Sequence, residues 1–581
     1  MSRGNIGSTG LSKLQLALIV GTPVVIGMGY YLYKKNSKPS LDGDGKPTLF
    51  KKMPLKSLKD QSISLDGTES EKDLEKKKKA ELESEKLSPL KEATNYKNEG
   101  NVCYRKGKYD EAILFYDKAI DKCPTENHND LAIFYQNRAA AYEMLKKWSK
   151  VKEDCANSIK HNPRYAKAYF RRAKASEATN NILECLDDVT ATCILEMFQN
   201  QNSIMYADRI LKQTGKVDAA KAMVDKVPIL PSKNFIKTFF KSFVQDPCVV
   251  KEVPKSEDPK GYVRAKMAFD NEKFDDVIPA CTEEIESSES ESQFKSEALL
   301  MRGTFHLLSA NFADSKTDLD AVINNVDADV NLRSNALIKR ASLHIQLDEK
   351  NTGMEDFEKS VKLCPKNPDI YHQRAQIYIL IDQLDQALKE FETAVELAPK
   401  HAIAYIQKCY AEYRLAIMHQ DQMRLMIIMN EFKNAVEKFP DCVECYSLMA
   451  QVLSDQGQFE QADSFFEKAI KMAPENASFY VHRGIMWLQW KGDIENAVAL
   501  MRKSIEIDEK CELAYETLGT IEVQRANLDG AVELIEKAIK LAKSQTEMAH
   551  LYALRNAAIA QINVTKKLGI DTSAISAMAR F

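Results

Sequence analysis

At 581 residues the chain is too long for one compact core, and long enough for several domains or one extended repeat array. Its 81 Lys+Arg and 84 Asp+Glu leave a formal charge of -3, which excludes a global electrostatic field of the kind that gathers nucleic acid. Charged residues make up 28% and Gly and Pro are scarce, a composition suited to a mostly helical protein.

The first apolar element is the stretch 14–33, LQLALIVGTPVVIGMGYYLY, which carries no charge. Twenty helical residues at about 1.5 Å each span about 30 Å, one hydrocarbon core. Tyr30, Tyr31 and Tyr33 stand where an aromatic belt would. The run exceeds a usual signal-peptide core and no small-x-small cleavage site follows it, so a single-pass anchor after a short segment 1–13 is expected. Arg3 and Lys13 precede the anchor, whereas Lys34, Lys35, Lys38, Lys46, Lys51 and Lys52 follow it. This excess predicts that the C-terminal bulk is cytosolic. Residues 34–90 hold few large apolar side chains and a run from Lys76 through Lys79 among glutamates, and read as a flexible charged linker.

From Ala93 the chain is periodic. In a 34-residue frame starting there, Tyr96, Gly100, Gly107, Tyr109, Ala112, Tyr116, Ala119 and Pro124 occupy positions 4, 8, 15, 17, 20, 24, 27 and 32 of a tetratricopeptide repeat (TPR). Large side chains face small ones because paired helices approach closely only where one side offers little bulk. Further copies start at Ala132, Pro368 and Val443, with weaker ones near 166, 258, 296, 334, 402, 477 and 512. The expected fold is therefore an all-α TPR solenoid of about eleven repeats in two arrays: three repeats over 91–199, an irregular helical connector over 200–257, and a C-terminal array over 258–581. Pro228, Pro231, Pro247 and Pro254 interrupt the connector, and Phe235, Phe239 and Phe243 line one side of a helix expected to dock the two arrays together.

The first helices of the three N-terminal repeats place Lys97 and Asn101, Asn137, and Lys167 and Arg171 on one concave surface. Two lysines, an arginine and two amides offer cationic and neutral donors, and no acidic residue at those positions neutralises them. Such a cluster suits a ligand with two carboxylates close together, each charge-assisted bond contributing about 1.5–3 kcal/mol. Lys97-x-x-Gly100-Asn101, Asn137-Arg138-Ala139-Ala140-Ala141-Tyr142 and Lys167-x-x-x-Arg171 resemble, position for position, the dicarboxylate clamp of chaperone-binding TPR domains. That resemblance implies that the five residues grip the terminal carboxylate and last Asp side chain of a Glu-Glu-Val-Asp tail on cytosolic heat-shock chaperones.

In the second array, first-helix positions expected to face the groove carry Ile379, Ile406, Tyr410, Tyr413, Leu448, Val481, Ile485, Leu488 and Val523, with Glu444 and Glu516 among them. An apolar wall with some carboxylates suits an amphipathic, basic or hydrophobic targeting segment.

The order of anchor, charged linker, clamp repeats and long second array resembles the large, seventy-kilodalton TPR import receptors of the mitochondrial outer-membrane translocase. The resemblance covers essentially the whole chain. It implies a single-pass outer-membrane protein with its N-terminus in the intermembrane space, and chaperones, mitochondrial preproteins and other translocase subunits as partners. A TPR adaptor on another membrane such as the endoplasmic reticulum, and a scaffold that moves no client, are the alternatives. No catalytic constellation is legible: the nine histidines are isolated, and neither a phosphate-binding GxxxxGK[ST] loop nor a GxSxG setting occurs. Cys442-x-x-Cys445 lacks a second pair at zinc-finger spacing. A binding protein rather than an enzyme, without cofactor or metal, is expected. The twelve scattered cysteines fit a reducing compartment.

Overall fold

Small residues at the predicted crossing positions let the helices pair closely. Ala112 and Ala119 are fully buried, and a Cβ added at Gly100 would stand 2.6 Å from the Tyr116 ring. A computed structural model describes residues 88–254, 256–287 and 293–570. The expected anchor at 14–33 and nearly all of the linker lie outside the described residues. Among those described, no helix is long and apolar enough to cross a membrane.

The chain divides into two compact units. The described part of the smaller one comprises residues up to 214 together with residues from Ile559 onward. It opens with three helical hairpins: α1 (Pro89–Arg105) with α2 (Tyr109–Lys122), α3 (His128–Met144) with α4 (Trp148–His161), and α5 (Ala166–Ala178) with α6 (Ile182–Leu195). Ser88 caps α1, its side chain accepting from the Lys91 amide, and Pro89 fills the first turn, where its missing N–H is no loss. The next helix, α7 (Gln201–Val224), gives its first part to this unit and the rest to the larger one. The C-terminal helix Gln545–Leu568 is divided the other way, its first part in the larger unit and the rest in the smaller; it begins with a reciprocal cap, in which Ser544 Oγ accepts from the Glu547 amide and Glu547 Oε2 accepts from the Ser544 amide, both at 3.1 Å. Its later turns complete the smaller core. Ala560 packs with Leu186, Val189 and Ile210, and Val564 with Tyr169, Ala191 and Ile194. Sequence alone assigned these turns to the second array.

The larger unit spans Gly215–Ala558 among the described residues. Eight hairpins run from Gly261–Asp270 with Val277–Glu286 to Glu512–Gln524 with Leu528–Leu541. With the first three they make eleven pairs, the number the periodicity predicts.

A recurring polar brace ties first to second helices within repeats. Arg138, Arg172, Arg302, Arg340 and Arg374 each make two N–H···O bonds, at 2.6–2.9 Å, to a carboxylate 16 residues on: Asp154, Asp188, Asp318, Asp356 and Glu390. The planar guanidinium fork suits this two-point grip, and pairing is what lets nearly inaccessible aspartates sit between helices.

The segment expected to be an irregular connector belongs to the core of the larger unit. Ser232 caps α8 (Lys233–Lys241), and Phe239, Phe240 and Phe243 pack with Tyr262 and Phe305. The phenylalanines thus fill the second array rather than joining the two arrays, because an apolar helix face is stabilised wherever it meets an apolar groove. Downstream, Lys339 Nζ stands 2.8 Å from Asp246 Oδ2, both side chains at or below 1% exposure. The approach is ionic rather than a well-aligned hydrogen bond. Asp369 accepts from the Val244 and Gln245 amides at 2.7 and 2.8 Å. Burial pushes its carboxyl up to about 6, against the pull of those two N–H groups. His372 Nδ1 lies 3.0 Å from the Ser242 carbonyl, so that nitrogen is the donor.

Candidate functional site

The five clamp positions lie on α1, α3 and α5, the first helices of the three N-terminal hairpins. Apolar faces of these helices turn inward: Ala93 on α1, Phe134 and Ala139 on α3, and Tyr169 and Ala173 on α5 are buried. The polar residues between them are left on the other side.

Two amides form the centre. Asn137 Nδ2 donates to Asn101 Oδ1 at 3.4 Å, and the buried Tyr116 hydroxyl donates to the same oxygen at 2.8 Å. Asn101 is therefore oriented from behind, with its own NH₂ left to donate forward. The Tyr116 ring is in turn seated by the missing side chain of Gly100, so helix packing and amide orientation share one contact. Lys97 and Lys167 have no carboxylate partner among the described residues, and their ammonium groups are available to an anion.

Arg171 differs from the expectation. Its Nε donates to Glu143 Oε2 at 2.7 Å, and its Nη1 donates to the Gln136 carbonyl at 3.1 Å. Lys174 approaches the other Glu143 oxygen at 3.5 Å. Sequence reasoning found no neutralising acid at the clamp positions. Glu143 supplies one from the C-terminal end of α3, six residues beyond Asn137.

The second-array expectation needs a larger correction. Ile406, Tyr410, Tyr413 and Leu448 lie in one buried cluster with Ile379, Phe391 and Phe432. Val481 and Ile485 lie in another with Leu513 and Leu518. All six are 7% exposed or less. They pack the array's helices to one another and do not form an open apolar wall, because successive first helices approach closely enough to bury these positions. Leu488 and Val523 are half-buried.

The two carboxylates fare differently. Glu444 is half-buried and accepts from the Cys442 thiol at 3.3 Å. Glu516 Oε1 lies 3.2 Å from His550 Nε2. Burial opposes charge on His550, yet this bond raises its pKa. Nearby stand Glu512 and Glu547, which sequence reading did not single out. Burial, then their mutual repulsion, pushes Glu512 well up, and burial lowers Lys543 beside them. Lys543 and Lys226 stand against these carboxylates, and His550 against Glu516, so amines and acids share the cluster.

The tetratricopeptide-repeat family matches residues 93–126, 334–367, 357–389 and 443–476. Over 581 residues the chain is 42% identical to the mitochondrial import receptor subunit TOM70 of Homo sapiens, covering 97% of this chain and 94% of that one. The Rattus norvegicus protein of the same name is 41% identical, again over 97% of this chain and 94% of the relative. Among solved structures, the crystal structure of yeast Tom70 aligns with 81% of this chain and 96% of its own, at 21% identity and a TM-score of 0.47. Identity sustained over nearly the full length of both human and rat relatives leaves one assignment: the chain belongs to the TOM70 family of mitochondrial import receptor subunits.

Proposed function

We propose that this chain is an outer-membrane import receptor that takes precursors from cytosolic chaperones. An anchor at 14–33 holds it to the mitochondrial surface with its repeats in the cytosol. Lys97, Asn101, Asn137, Lys167 and Arg171 grip the acidic Glu-Glu-Val-Asp tail of a heat-shock chaperone. The second array accepts the hydrophobic or internal-signal preprotein, using Glu444, Leu488 and Glu516, for transfer to other translocase subunits and the pore.

The observation that carries the chaperone link is the amide pair at 3.4 Å, oriented from behind by Tyr116 and flanked by two lysines with no carboxylate partner among the described residues. Neutral donors of fixed direction beside cations suit a carboxylate better than an apolar side chain. For the precursor site, the two carboxylates of Glu444 and Glu516 support a basic face on the ligand.

The test is calorimetric titration of the full chain with a peptide ending Glu-Glu-Val-Asp, as the free acid and as the C-terminal amide. The acid binds more than tenfold tighter, since about 1.4 kcal/mol suffices for that ratio. Arg171→Ala produces a similar loss, while Arg171→Lys recovers only part of it, because an ammonium lacks the guanidinium fork. Equal affinity for acid and amide removes the chaperone link.

A further inference from the structure

We propose that Glu143 sets the strength of the clamp by holding Arg171 in a neutralised pair until a more highly charged ligand claims it. The inference rests on the clamp reading above and adds a residue to it. Arg171 has five N–H donors, of which Nε is committed to Glu143 and one Nη1 proton to the Gln136 carbonyl. The Nη1–Nη2 edge remains for a ligand. A carboxylate arriving there meets a cation already cancelled by an anion 2.7 Å away. It also comes within a few ångströms of that anion.

Burial makes this competition matter. The Arg171 and Glu143 side chains are 19% and 20% exposed, so water screens them less than it would a surface pair. Among the described residues, further relief for Glu143 comes from Lys174, at 3.5 Å and 43% exposed. The Gln136 carbonyl gives Arg171 a second, uncharged anchor, so its orientation does not depend on Glu143 alone. The result is a threshold. A lone carboxylate gains little from a pre-neutralised arginine, whereas a ligand with two carboxylates also engages Lys97 and Lys167 and repays the displacement.

Glu143→Gln separates charge from geometry, since the amide oxygen still accepts the Arg171 Nε–H while the negative charge is gone. In the full chain this variant binds the free-acid Glu-Glu-Val-Asp peptide about 3–10-fold tighter than the unmutated protein, and the gain shrinks as salt is raised. In an Arg171→Ala background the same change gives less than a twofold gain, because Glu143 then has no arginine to occupy. Thermal unfolding of each variant checks that the fold is intact, and a denatured Glu143→Gln protein is replaced by Glu143→Ala, for which the same tightening is expected. Equal or weaker binding by Glu143→Gln, in a protein that still prefers the acid to the amide, overturns this proposal and leaves the clamp standing. So does a gain that persists unchanged without Arg171. Loss of the acid-over-amide preference in the unmutated chain overturns the clamp reading itself.

Discussion

The Lys339–Asp246 pair offers the sharpest test of how the 226–254 segment is held. Lys339 Nζ lies 2.8 Å from Asp246 with neither side chain more than 1% exposed. The same ammonium sits 5.6 and 5.7 Å from the ring centres of Phe240 and Phe243. Lys339→Met keeps the length of the stem and removes the charge. It leaves the Asp246 carboxylate buried, with the Cys248 amide at 2.8 Å as its remaining donor. Removing one partner of a buried pair costs about 3–5 kcal/mol. At this desolvated site the two ring contacts add up to about 2 kcal/mol each, and the Met side chain packed against the same rings offsets much of this. A destabilisation of about 3 kcal/mol is expected for the larger unit. Urea unfolding followed by tryptophan fluorescence reads it, because Trp487 and Trp490 lie in that unit and Trp148 in the other. Lys339→Met with Asp246→Asn, which removes both charges, recovers at least half the loss. A Lys339→Met protein that unfolds at the unmutated urea concentration, or a double variant as unstable as the two single losses summed, would refute the reasoning.

Gly100→Ala brings a methyl group to 2.6 Å from Tyr116; overpacking costs about 1–3 kcal/mol in the smaller unit. Tail binding weakens with it, because Tyr116 orients Asn101, and thermal unfolding paired with peptide titration reads both. His482, held down to about 4 by burial, stays neutral in the folded chain, whereas the unfolded histidine titrates at about 6.5. Below that pH the unfolded state binds the extra proton, so this residue's contribution to stability falls as pH falls. The advantage of His482→Phe over the unmutated chain therefore widens by about 2 kcal/mol between pH 7 and pH 5 in parallel urea titrations; a pH-independent difference contradicts the burial argument. Ending the chain after Ala558 removes Ala560 and Val564 from the smaller core and destabilises it by at least about 2 kcal/mol, read from Trp148 fluorescence.

The hairpins were legible because TPR packing writes itself as a period: Gly100, Ala112 and Ala119 must be small where Tyr116 is large. The clamp was partly legible for the same reason, since helical phase puts Asn101 and Asn137 side by side. Its acid was not. Glu143 reaches Arg171 from the end of a neighbouring helix, a relation set by the stacking of hairpins and invisible to spacing within one of them. The misplaced apolar wall has a related cause. A periodic pattern marks the first-helix face of Ile406, Tyr410 and Leu448, but only the closeness of successive repeats decides whether that face is groove or core. The phenylalanines of α8 were recognised as a docking face, yet nothing local told which array would receive them. One signal was present and unused: an arginine followed 16 residues later by a carboxylate recurs in five hairpins.

The smaller unit's core draws on both ends of the described chain, and this bears on the order in which a ribosome delivers the parts. The three N-terminal hairpins emerge early, but Ala560 and Val564, which cover Val189 and Tyr169, are made only after residues 215–558 of the larger unit. At about 5–20 residues per second, the roughly 360 residues between Leu195 and Ala560 take tens of seconds to synthesise. For that interval the nascent hairpins carry an uncovered apolar strip beside their newly formed groove. Their burial is finished only after the whole larger unit has been made, which makes the final turns of the Gln545–Leu568 helix a late closure for the first domain to appear.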